Sequence, residues 1–256
     1  MSRVKILIAT HKNYEFPNTV CYVPIYVGKA LHRQQLAIQM IRADNISLKN
    51  SSFCELTALY WAWKNNFFNE SDYVGLVHYR RYFKGSVLQL KNQKIASENE
   101  LLSYLEQYDV IVAKKRNYYI ETIYSHYKNA HYIKDLDLAR EIIAQDSPGY
   151  CSAFDQVMSS RSLHLFNMFV MKKEYFEQYC NWLFAILFKL EKKIDVADYD
   201  NYQKRVFGFL AERLFNVWLL KNNLSKKELK VVSLEKEKIL FKVIGLLKRK
   251  FSRKIK

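Results

Sequence analysis

This sequence predicts a doubly wound α/β domain, a sheet flanked by helices with a helix-rich C-terminal half, on three observations. The continuous apolar runs Val4–Ala9, Tyr73–Val77 and Asp109–Ala113 each stop at polar or charged residues, as strands buried on both faces do. A helical pattern separates the last two runs, which gives the strand–helix–strand rhythm of such sheets. The 256 residues are 15% aromatic, with 19 Tyr, 16 Phe, 3 Pro and 6 Gly, which is enough for a large core and too little Gly for a Gly-rich phosphate loop.

Val4–Ala9 ends at Thr10-His11-Lys12, and ligands of open α/β sheets collect at such strand ends. The stretch that follows holds Pro17, Pro24 and Gly28 and is expected to be a site-forming loop. Ser52–Asn66 is expected to be a helix, because Phe53, Leu56, Leu59, Tyr60 and Trp63 recur at spacings of three and four. Asp72–Phe83 starts as a buried strand and ends in a dense polar cluster. Ser97–Gln107 carries a capping box, Ser97 with Glu100, and the strand Asp109–Ala113 runs into Lys114-Lys115-Arg116. Helices are expected over Asp135–Ala144 and Ser152–Ser159, on either side of the Pro148-Gly149 break. A short strand, Met168–Met171, precedes an amphipathic helix over Lys172–Lys193, and another helix runs from Tyr202 to Leu220. No linker rich in Pro, Gly or Ser divides the chain, so one domain over residues 1–234 and a basic tail over 235–256 are expected.

Lys and Arg number 41 against 25 Asp and Glu, a net +16, which points to an anionic partner. Twelve of the basic and three of the acidic residues fall between Lys226 and Lys256, so the excess is concentrated there. Within Lys238–Lys256, Leu240, Val243, Ile244, Leu247, Phe251 and Ile255 recur at helical spacing among Lys and Arg, the pattern of a basic helix lying on an anionic membrane surface. Docking onto the body of the protein is the structural alternative. Cys21, Cys54, Cys151 and Cys180 are scattered singly, which suggests neither a zinc knuckle nor a disulfide framework and fits a reduced, cytoplasmic chain. No apolar run approaches the roughly 20 residues that span a bilayer.

The run Asp72–Val77 delivers His78, Tyr79, Arg80, Arg81 and Tyr82 to a strand end. Two adjacent guanidiniums present planar forks of donors matched to phosphate oxygens, and they can neutralise a diphosphate without a metal. The structural alternative is a surface basic cluster or a buried ion pair.

Five segments in order, Ile8–Lys12, Asp44–Ser47, Cys54–Asn65, Asp72–Phe83 and Arg205–Trp218, resemble a bacterial family of polysaccharide-biosynthesis glycosyltransferases found with capsule and lipopolysaccharide O-antigen pathways. That family was first catalogued as a domain of unknown function, the 4422 type. The resemblance runs from about Val4 to Leu234 and leaves out the basic tail. It implies a GT-A-like, Rossmann-like mixed sheet and transfer of a hexose, galactofuranose in some relatives, from a nucleotide donor, most simply a UDP-sugar. In the wider GT-A fold the strand ending at His78 carries an Asp-x-Asp metal motif; this chain has His78-x-Arg80 instead, so no metal and no cofactor is expected.

Carried over by the resemblance, Thr10, His11 and Lys12 would lie beside the nucleotide with His78, Arg80 and Arg81, while Asp44 and Asn45 would offer acceptors to uridine or ribose. Helix capping explains Asp44 and Asn45 equally well. Taking the acceptor hydroxyl proton in an inverting transfer needs a carboxylate, and Glu212, Asp155 and Glu55 are the candidates. Each has a structural alternative: an intrahelical or cross-helix ion pair for Glu212, and a favourable helix-dipole position for Asp155 and Glu55. His126 and His131, in an expected loop with Tyr124–Tyr132, would stack on a sugar or nucleobase of the acceptor side. The implied acceptor is a lipid-linked oligosaccharide, which places the enzyme peripherally on the inner face of the cell membrane. The competing class is a nucleic-acid-binding protein that uses the Tyr/Arg cluster and the tail. The chain has no spacing of a known nucleic-acid module, so nucleic acid is not expected as the partner.

Overall fold

The computed structural model describes residues 3–28 and 44–235, so the basic pattern of Lys238–Lys256 lies outside the described residues. The apolar runs form the middle of one mixed sheet. Strands β1 (Val4–Thr10), β2 (Tyr22–Tyr26) and β3 (Tyr73–His78) are parallel, with β1 in the centre of the three. The hairpin β4 (Arg81–Leu90) and β5 (Gln93–Ile95) follows β3, and β6 (Val110–Ala113) continues the main sheet. The short pair β7 (Arg116–Asn117) and β8 (Ser162–Leu163) stands apart from it. Strand β9 (Phe169–Lys172) runs antiparallel between β3 and β6. Finally β10 (Lys226–Leu229) lies parallel to β6, and β11 (Val231–Ser233) lies antiparallel to β4. The main order is β10-β6-β9-β3-β1-β2.

Side-chain alternation divides the core between the two faces. One face takes Leu7, Val74, Leu76, Val112, Phe169 and Met171. It is covered by α1 (Asn50–Phe53), α2 (Leu56–Lys64), α4 (Ile123–Ala130), α5 (Ile133–Asp146), α6 (Cys151–Ser159), α7 (Lys173–Glu191) and α8 (Val206–Lys221). The ring of Phe169 packs against Tyr179 of α7 and Phe215 of α8, with centroids 5.9 and 5.5 Å away, and so ties the sheet to both helices. The other face takes Ile6, Ile8, Val77, Ile111 and Val170 beneath α3 (Glu98–Leu105) and the β4–β5 hairpin. The expected capping box is formed: Ser97 Oγ accepts from the Glu100 backbone N–H, and the Glu100 carboxylate accepts from the Ser97 N–H.

Three expectations are corrected. The stretch read as a loop after Thr10 contains β2, where Pro24 sits opposite Ile8 on the last strand of the main order and its missing N–H breaks no ladder. The helix expected over Ser52–Asn66 is interrupted at Cys54, whose φ of 53° separates α1 from α2. The segment holding His126 is helix α4, started by the Thr122 side chain accepting from the Ser125 N–H, and His131 is its C-terminal cap.

Among the described residues no helix is long and apolar enough to cross a membrane. The carboxyl ends of β1, β3 and β6 and the amino end of β9 meet at one edge of the sheet, because β9 runs against its neighbours. The loops of that edge build the cleft.

Candidate active site

A cleft of about 1330 Å³ opens at this edge. Its sheet side is made by His11, His78, Tyr79, Arg80 and Arg81, which leave β1 and β3 at the carboxyl ends where ligands of such sheets bind. The Arg81 guanidinium lies 4.6 Å from the Phe166 ring centroid, and the Arg80 guanidinium 5.7 Å from that of Tyr79. Arg80 Nη1 also donates to Glu235 Oε2 at 3.0 Å. Burial, then the charges of Lys12, Arg80 and Arg205, hold the His11 imidazole below its ordinary pKa. The His78 Nε2 and the Phe166 carbonyl oxygen are 2.5 Å apart, which makes Nε2 the protonated nitrogen.

The helical side supplies two carboxylates with different surroundings. Both oxygens of Glu212 on α8 are held: Oε1 accepts from the Phe166 N–H at 2.6 Å and Oε2 from Arg213 Nη1 at 2.9 Å. Arg213 is 3% exposed at the side chain, so this pair neutralises a buried cation. Glu55, in the break before α2, accepts from Asn167 Nδ2 through Oε1 at 2.7 Å, and its Oε2 has no hydrogen-bond partner among the described residues. Beside it, Arg205 Nε donates to Cys54 Sγ at 3.3 Å. Burial pushes the Cys54 thiol up to about 11, so this sulfur is no nucleophile at neutral pH.

The far wall is aromatic. His126 packs on Tyr118 with centroids 4.2 Å apart, and His131 lies 4.1 Å from Phe209 and 5.8 Å, stacked, from Tyr202. His131 Nδ1 is 3.0 Å from Gln203 Oε1. At the rim, Tyr119 and Ile120 are 75% and 72% exposed.

The remaining residues expected at the site do not line the cleft. Asp155 is bidentate to Arg140, at 2.8 and 2.9 Å on α6, and that partner holds its carboxyl below the ordinary range. Thr10 is buried and donates through Oγ1 to the Lys12 carbonyl at 2.7 Å, shaping the turn after β1. Lys12 donates to Glu235 Oε1 at 3.4 Å at the margin of the cleft, sharing that carboxylate with Arg80. Asp44 accepts from the Tyr60 hydroxyl at 3.3 Å. Asn45 accepts from the Ser47 N–H at 3.0 Å, a local side-chain turn just before the short 3-10 turn Ser47–Lys49, whose N-cap is Ile46. Phe166, Asn167 and Arg205 were not foreseen as site residues. Among the described residues no group of three His, Cys, Asp or Glu side chains converges as metal ligands would.

The family model described as Domain of unknown function (DUF4422) matches residues 5–223, most of the chain. The chain belongs to this family. Among solved structures, the WbbM bifunctional glycosyltransferase in its apo form is 34% identical over 91% of this chain, with a TM-score of 0.79. The chain spans 45% of that protein's length. No curated protein matches the chain. The chain has the GT-A-like, Rossmann-like fold expected of it: a central mixed sheet flanked by helices.

Proposed function

We propose that this chain is a glycosyltransferase that moves a hexose from a UDP-sugar to a lipid-linked oligosaccharide. The observation that carries the reading is the layout of one cleft: cations on the sheet side, a carboxylate with one unengaged oxygen in the middle, and an aromatic wall opposite. Arg80, Arg81, His78 and His11 hold the donor diphosphate, with Lys12 at the margin, and its developing charge is stabilised by the guanidiniums. The acceptor sugar stacks along Tyr118, His126, His131 and Tyr202. The acceptor hydroxyl oxygen attacks the anomeric carbon, and the bond from that carbon to the phosphate oxygen breaks with its electron pair leaving on UDP. The hydroxyl proton passes to Glu55. Glu212 supports this arrangement from its pair with Arg213, and Asp155 has no part in it.

Calorimetric titration with UDP, UDP-galactose and UDP-glucose, with and without EDTA, tests the reading. Binding is expected to survive EDTA. Arg80→Ala should weaken it about ten-fold, ~1.5 kcal/mol, and Arg80→Lys less, because a charge-assisted bond is lost in the first and a point charge kept in the second. Glu55→Gln should keep donor affinity and lose turnover, since a proton acceptor acts mainly on the transition state. A strict requirement for manganese or magnesium would remove the metal-free version. A salt-sensitive response to oligonucleotides with none to nucleotide sugars would replace the reading with nucleic-acid binding.

A further inference from the structure

The turn that leads into β9 places two consecutive non-glycine residues in left-handed backbone, Phe166 at φ 76° and Asn167 at φ 52°. For a side chain as bulky as Phe this conformation is a steric outlier, and such outliers persist where the surroundings over-determine them. Here the turn reaches several groups of the cleft at once. The Phe166 N–H donates to Glu212, its carbonyl accepts from His78, and its ring lies under Arg81. Asn167 is 3% exposed, and its Nδ2 donates to Glu55 Oε1 at 2.7 Å and to the Gly208 carbonyl at 3.3 Å. Its Oδ1 is buried and has no hydrogen-bond partner among the described residues. A left-handed residue with an unpaired buried acceptor is a poor choice for stability alone, and its short bond is the one to Glu55.

We infer that Asn167 is the positioning residue of Glu55: its amide fixes Oε1 and leaves Oε2 as the oxygen that meets the acceptor hydroxyl. This rests on the transferase reading with Glu55 as proton acceptor. The strained turn registers that carboxylate against the cations on the sheet side, because the backbone that carries the amide also holds His78 and Arg81.

The test uses the full chain and measures UDP release from UDP-galactose, UDP-glucose and UDP-N-acetylglucosamine, alongside UDP affinity and thermal unfolding. Asn167→Gly keeps this φ open but removes two buried hydrogen bonds, so it should unfold somewhat earlier than the wild type; assayed well below its melting temperature, it should bind UDP as tightly while kcat falls ten-fold or more. Asn167→Asp keeps the shape but sets a second carboxylate against Glu55. The acid limb of its kcat profile should move to higher pH, with Arg205, Cys54 and Tyr179, the titratable groups that feel the Glu55 charge, left unchanged. A purely structural role would move neither kcat of the folded protein nor the acid limb. Wild-type turnover in Asn167→Gly beside an inactive Glu55→Gln overturns the inference and leaves the function standing. Wild-type turnover in Glu55→Gln overturns the underlying reading. If Asn167→Gly is already unfolded at the assay temperature, an unshifted acid limb in Asn167→Asp is the result that overturns it.

Discussion

His11 shows how much of the sheet side of the cleft is set by crowding of positive charge. Burial and the neighbouring Lys12, Arg80 and Arg205 oppose its protonation, so the imidazole stays neutral in the folded chain below the pH at which it would ordinarily charge. The unfolded chain takes up that proton near pH 6.5, about the ordinary histidine value. Folded stability contributed by His11 is therefore whole above that value and is lost as pH falls through it toward the depressed one. The melting temperature of the wild type relative to His11→Gln should drop between about pH 7.5 and 5.5. A difference that stays constant over this window would show that the imidazole titrates normally. Residues of this kind were legible in the sequence because their setting is local: His11 follows a buried strand, and Glu212 sits one step from an Arg inside an apolar helix. Asn167 was not legible. Its partner Glu55 lies 112 residues away, and only tertiary packing sets the break before α2 beside the turn into β9.

At the scale of elements, the antiparallel insertion of β9 creates the site, and Gly75 is what lets it fit. A Cβ on Gly75 would meet the Phe169 carbonyl oxygen at 2.7 Å and Val170 Cγ2 at 3.0 Å, in the middle of the β3–β9 pairing. Backbone oxygen at that distance has no room to yield, so Gly75→Ala should destabilise by about 1–3 kcal/mol, the usual cost of overpacking a core. Chemical denaturation checks this, and an unchanged midpoint would mean that the two strands can part without loss. The central strands were readable because burial on both faces leaves mostly apolar residues in them. Strand β4 was missed because its outer half, residues 86–90, leaves Val87 exposed beside Ser86 and Gln89, so burial does not pattern it, and its pairing with β5 shifts register between Lys84 and Leu88. Strand β10, Lys-Lys-Glu-Leu, carries no apolar run at all, and parallel pairing with β6 alone makes it a strand.

In the whole molecule, the cations of the donor side are connected to the C-terminal segment. Strand β11 pairs with β4 beside Arg81, the Leu234 N–H donates to the Arg80 carbonyl at 2.9 Å, and the Glu235 carboxylate bridges Arg80 and Lys12. Those cations hold the Glu235 carboxyl below the ordinary range, Arg80 foremost. A diphosphate arriving at Arg80 competes with this carboxylate, so Glu235→Gln should tighten UDP binding. The gain should be no more than about five-fold, because half-exposed pairs are worth about 0–1 kcal/mol. Unchanged affinity in a calorimetric titration would place the diphosphate away from Arg80. The basic amphipathic pattern begins just beyond this contact, so chain that follows the donor side is also the chain suited to an anionic surface. Each Lys or Arg at such a surface adds about 1 kcal/mol, screened over a Debye length of about 10 Å at 0.1 M salt. Truncation after Glu235 keeps the carboxylate bridge and removes the amphipathic pattern. The shortened chain is expected to fold and bind UDP like the full one but to stay in the supernatant with phosphatidylglycerol liposomes at low salt, where the full chain sediments. Equal sedimentation of the two would assign membrane attachment to the body of the protein, and early unfolding of the shortened chain would show that the removed segment packs against that body instead.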